Sequence, residues 1–142
     1  MESFAEEVLV TENSAGIFEG TVSGKWSVNG NPNGGYLMAI LAGAMIKHSD
    51  KKSAPIVTAN YISRSVPGKA EIYVEEFSRS KQFNRYSARL IQEGREKVRA
   101  LGTFSVEKAV CEIERLEADG EVWDDAGNLV SFSRQIAQVR KF

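Results

Sequence analysis

The chain is poor in the residues that most often do chemistry. Among 142 residues there is one histidine, His48, and one cysteine, Cys111. A lone cysteine excludes an internal disulfide framework and fits a reducing compartment. No cluster of residues has metal-ligand spacing and no phosphate-loop pattern occurs, so no metal and no cofactor is expected. Neither sign of charge prevails: 18 lysines and arginines stand against 19 aspartates and glutamates. That balance excludes a general nucleic-acid binder, whose footprint is strongly basic. The first residues, Met1 to Glu7, are acidic and lack the apolar core of a signal peptide, so a cytoplasmic location is expected. The one long apolar run is about 12 residues, well short of the roughly 20 that span a bilayer, so no membrane partner is expected.

That run is the most informative stretch present. Asn31-Pro32-Asn33-Gly34-Gly35-Tyr36 leads into Leu37 to Ile46, with no charge until Lys47. Asn33 suits an N-cap, and the paired glycines permit close approaches that a side chain would block. A helix apolar on every face must be buried on every face. The simplest solution is one long apolar central helix wrapped by a sheet. Its N-terminus, with unpaired N–H groups and a positive dipole end, suits a carbonyl oxygen or an anion.

The surroundings supply the sheet. Ser3 to Thr11 reads as a short amphipathic lead-in, and Phe18 to Val28 as a first strand interrupted by Gly24. After the polar loop Ser49 to Ser53, strands are predicted over Ile56 to Val66, Ala70 to Ser78 and Gln82 to Gln92. The turn Glu93-Gly94-Arg95 leads to another strand through Val98, Ala100, Gly102 and Phe104. Glu107 to Glu117 is compatible with a helix or a strand. Gly120 to Trp123 and Leu129 to Phe132 read as a hairpin with a loop of about five residues, its last strand extended to Arg140. Strand, helix, then antiparallel meander is an α+β order. At this length, with no repeat or low-complexity segment, a single domain over residues 1–142 is expected.

These features fall together in a known pattern. Gly16-Ile17-Phe18-Glu19-Gly20, Trp26, Asn33-Gly34-Gly35-Tyr36-Leu37, Pro67-Gly68, Ala88 to Gly94 and Thr103-Phe104 resemble, in order, the acyl-CoA thioesterase-like branch of the hot-dog fold. The resemblance covers residues 14–106, one hot-dog unit, and is closest to the first unit of tandem relatives. Val122 to Arg140 resembles the end of the second unit. The segment between is absent, and with it the position of a catalytic aspartate in two-unit relatives. Gln135 aligns with a glutamine that assists catalysis in some of them. The resemblance also implies pairing of units, hence a homodimer with a ligand tunnel at the seam.

Thioester hydrolysis needs donors for a developing oxyanion and an activated water. The N–H groups around Gly34, Gly35 and Tyr36 meet the first need, although the glycines equally suit close packing. The second need is harder: from Asn31 to Met45 there is no aspartate, glutamate or histidine. Asn33 and Gln135 can orient a water but do not readily take a proton, and each also has a bland role, as a cap and as a strand polar residue. His48 sits where a helix C-terminus favours a cation, and Cys111 has no activating neighbour in sequence. Trp26 and Tyr36 flank the turn as substrate-binding candidates. Arg85, Arg89, Lys97 and Arg99 fall on the outward face of adjoining strands, a basic stripe able to receive coenzyme A phosphates or to be simply solvated. Two functions follow: hydrolysis of a small or medium acyl-CoA, or non-catalytic binding of an acyl-CoA or fatty-acyl group.

Overall fold

The computed structural model describes residues 3–106, 113–123 and 129–140, with side chains over 3–53 and 56–106. The chain opens with a one-turn helix α1 (Phe4–Glu7) and two strands, β1 (Val10–Ser14) and β2 (Ile17–Val22). A 3₁₀ turn (Gly24–Trp26) and a small ribbon, β3 (Ser27–Val28) with β4 (Asn31–Pro32), lead to the central helix α2 (Gly34–His48). Then come β5 (Ser53–Tyr61), β6 (Gly68–Arg79), β7 (Phe83–Gln92), β8 (Arg95–Ser105), β9 (Ile113–Trp123) and β10 (Leu129–Arg140). The main sheet has the order β1-β2-β6-β7-β8-β5-β9-β10. Every neighbouring pair is antiparallel except β5 with β9. This is an α+β hot-dog fold.

The helix is 15 residues, roughly 22 Å at 1.5 Å per residue, a four-turn element rather than a long one. Tyr36, Leu37, Ile40, Leu41, Ala44 and Met45 are buried against the sheet. Their sheet partners come from alternate residues: Phe18 and Val22, Ile72 and Val74, Tyr86, Ala88 and Leu90, Val98, Ala100 and Phe104. No helix residue from Tyr36 to Ile46 is exposed, as an all-round apolar surface requires. The back of the helix is crossed by the chain after α1, where the Val8 carbonyl approaches Gly43 and the Val10 carbonyl accepts from Lys47 Nζ. Among the described residues no helix is long and apolar enough to cross a membrane.

Several boundaries differ from the sequence reading. The lead-in is α1 followed by β1, an edge strand with one buried residue in five and so no alternation to read. The first strand stops at Val22, because Ser23 Oγ accepts the Lys25 N–H and turns the chain out of the sheet. Trp26 therefore lies outside the main sheet. β5 ends at Tyr61 rather than Val66: the Ile62 and Ser63 N–H groups both reach the Lys97 carbonyl, closing the ladder. Gln92 then holds Val66 through both its N–H and its carbonyl. The open question over Glu107 to Glu117 resolves to strand from Ile113 on. Residues 107–112, with Cys111, and the 124–128 loop lie outside the described residues, while β9 and β10 pair as the expected hairpin.

Candidate active site

The start of α2 is built by local chemistry. Asn33 takes extended backbone angles, and its Oδ1 accepts from the Gly35 N–H at 2.9 Å and the Tyr36 N–H at 3.3 Å. The Asn33 N–H is held by the Trp26 carbonyl at 2.8 Å, which ties the helix start to the 3₁₀ turn. Among the described residues the Gly34 N–H meets no acceptor. Asn33 and Gly35 are exposed, so this group of donors faces solvent. The expected N-cap is thus observed, and its oxygen occupies two of the amides expected to cradle a carbonyl.

Tyr61 completes the turn from the other side. Its hydroxyl donates to the Gly34 carbonyl at 2.5 Å. A Cβ on Gly34 would lie 2.9 Å from Tyr61 Cζ and Oη, so any other residue there has to displace the ring. Burial pushes the Tyr61 phenol up to about 12, and it stays a donor through neutral pH. The sequence reading missed Tyr61. Its only signal there is an aromatic residue with a hydroxyl at the inward end of a strand.

The other predicted residues are distributed unevenly. Tyr36 is buried, and its hydroxyl accepts from the Ser23 N–H at 2.9 Å and faces the Glu7 and Thr21 carbonyls at 3.0 and 3.3 Å. Burial raises its pKa, opposed by the Ser23 N–H. The Tyr36 hydroxyl is committed to backbone, and a direct substrate contact through it is not what the geometry provides. Trp26 stacks on Tyr36 at 6.3 Å and meets Phe4 edge-on at 4.9 Å. It keeps 39% of its surface exposed, an apolar wall beside the helix start. His48 sits at the opposite end of α2, roughly 20 Å away by helix rise. There its ring lies between Phe18 and Tyr86, with Nδ1 3.6 Å from Glu12.

The basic stripe is only partly free. Arg99 is held by Glu96 through two contacts of 2.5 and 2.9 Å. Arg89, opposite Arg99 in register, lies over the Tyr73 ring at 5.5 Å. Arg85 reaches Ser78 at 3.4 Å, and the backbone of Lys97 borders the segment after Tyr61. Gln135 pairs in register with Ala118 on β9, next to Glu117, which meets Ile56 of β5. Tyr61 lies five residues from Ile56 along β5, roughly 16 Å. Among the described residues no carboxylate or imidazole is bonded to Asn33, Gly34 or Gly35, and no cluster is disposed to hold a metal.

Residues 22–105, which contain the whole helix start and Tyr61, match the acyl-CoA thioesterase N-terminal domain. The chain belongs to that family. Solved structures agree on the fold. A Thermobifida fusca protein provisionally named a thioesterase II superposes with a TM-score of 0.69 at 21% identity, covering 72% of this chain and 38% of that one. A hot-dog protein of unknown function from Alicyclobacillus acidocaldarius gives 0.68 at 16%, covering 75% and 40%. Zebrafish thioesterase superfamily member 2 gives 0.58 at 14%, covering 72% and 83%. This family member therefore spans about two fifths of the longer structures and most of the shorter one. No curated protein matches the chain.

Proposed function

We propose that this thioesterase-family chain hydrolyses a small or medium acyl-CoA thioester, giving the acid and free coenzyme A, at the start of α2. Water attacks the thioester carbon, the C–S bond breaks, and the departing sulfur takes up a proton. The observation that carries the reading is the Asn33 oxygen held by the Gly35 and Tyr36 amides at 2.9 and 3.3 Å: this turn holds a carbonyl-type oxygen. With Asn33 swung aside, the same amides and that of Gly34 receive the oxyanion, and the Asn33 amide orients water. Trp26 walls the acyl group, Tyr36 supports the turn, and Arg85, Arg89, Lys97 and Arg99 steer the coenzyme A phosphates. The reading includes one cytoplasmic domain that works as a homodimer. In it a second copy supplies what one chain lacks at the helix start, Gln135 among the candidates.

A second reading, an acyl-CoA or fatty-acyl binding module without turnover, is supported by one specific fact. The described residues bring no proton acceptor to the cradle. Thiol release over a panel of acyl-CoAs, run beside calorimetry on the same panel, separates the two. Turnover is the expected result; binding alone identifies a module, and neither one rejects both. Charge reversal at Arg89 is expected to weaken acyl-CoA binding more than reversal at Arg99, which Glu96 already neutralises. Unchanged affinity in both variants sinks the stripe.

A further inference from the structure

We propose that Tyr61 is a positioning residue for the site at the start of α2, acting through the Gly34–Gly35 peptide rather than on the substrate. The proposal rests on the reading that the Gly35 N–H serves the substrate oxygen. That peptide is held at both ends, its carbonyl by the Tyr61 hydroxyl and its N–H by Asn33 Oδ1. A peptide whose carbonyl accepts a hydrogen bond is a stronger donor at its N–H, because the two bonds polarise one another. When a substrate oxygen replaces Asn33, Tyr61 keeps the plane of the peptide fixed and its N–H strengthened.

Three features make this arrangement a built one. Tyr61 comes from β5, not from the helix, so the contact joins two elements through residues 27 apart in sequence. The strand that carries it is pinned on the far side, where Tyr61 faces Val98 in register and the next N–H meets the Lys97 carbonyl. The ring packs against the core, and the hydroxyl approaches its acceptor across Gly34, where a Cβ would lie 2.9 Å from the ring and displace it. Burial also keeps the phenol protonated, so the hydroxyl remains a donor across the pH range of an assay.

Tyr61→Phe keeps the ring and removes the hydroxyl. It is expected to lower kcat about three- to tenfold, the size of one neutral hydrogen bond, with KM nearly unchanged. In the free protein the Gly35 amide proton should move upfield by NMR. Gly34→Ala forces the ring off the carbonyl and should reproduce the kcat loss, and the double variant should be no worse than either single one. Unchanged kcat in Tyr61→Phe overturns the proposal, as does a loss confined to thermal stability or fully additive losses. If the unaltered protein releases no thiol from any acyl-CoA, the hydrolytic reading has failed. The Gly35 proton then decides alone: a shift supports positioning in a binding module, and no shift overturns it.

Discussion

Tyr36 and Tyr61 both bring a phenol to the first turn of α2, and the two hydroxyls are engaged in opposite ways. Tyr36 reaches away from the helix start, to Ser23, Glu7 and Thr21, and fastens α1 and the 3₁₀ turn over the core. Its replacement by phenylalanine leaves the Ser23 N–H without its acceptor. We expect a stability loss of about 1–3 kcal/mol in urea denaturation, with acyl-CoA affinity and turnover per folded molecule held. A large loss of turnover with stability intact would instead make the Tyr36 hydroxyl part of the chemistry. At this scale the sequence was informative where contacts are local. Asn33, Gly34 and Gly35 could be read because a cap bonds two and three residues ahead. Tyr61 could not, because nothing in a strand-end tyrosine names a carbonyl 27 residues away.

Between elements, polar networks join the helix ends to the sheet. After α2, Arg79 on β6 binds Asp50 at 3.0 Å and Glu76 at 2.8 Å, and Asn84 on β7 donates to Asp50 at 2.6 Å. Buried Lys51 closes the group by donating to Asn84 Oδ1 at 2.7 Å. Arg79 holds the Asp50 and Glu76 carboxyls below their ordinary range. Depressed in the folded state, these groups add stability above their unfolded pKa values and lose it as pH falls through their folded ones. The gap in urea midpoint between the unaltered protein and Arg79→Ala is therefore expected to be widest near neutral pH. It should shrink from about pH 4 downward; a gap constant from pH 7 to pH 2 would contradict it. The elements themselves were legible in proportion to their burial. The apolar helix and the alternating β6, β7 and β8 follow from periodicity, whereas β1 has a single buried residue. The β3–β4 ribbon went unread although Asn29-Gly30 is a strong two-residue turn signal. Both residues adopt positive φ, 51° and 76°, as such a turn requires.

Across the whole molecule, the family match ends at residue 105, and the sheet goes on beyond it. β5 is joined antiparallel to β8 on one side, from Ser53 with Ser105 to Tyr61 with Val98, and on the other lies parallel to β9, with Ile56 opposite Glu117. The β9–β10 hairpin is well zipped within itself, with eleven pairs. A hairpin zipped along its own length at the end of a sheet is a natural unit of sub-global opening. In hydrogen–deuterium exchange, β9 and β10 are expected to lose protection together, well before β7 and β8; equal protection on both sides would contradict this. The sheet then keeps two clocks, a slow one for the residues around the helix and a fast one for the outer leaf. Each tick of the fast clock bares the backbone of β5, and the fraction of time spent open sets how quickly any other strand can add there.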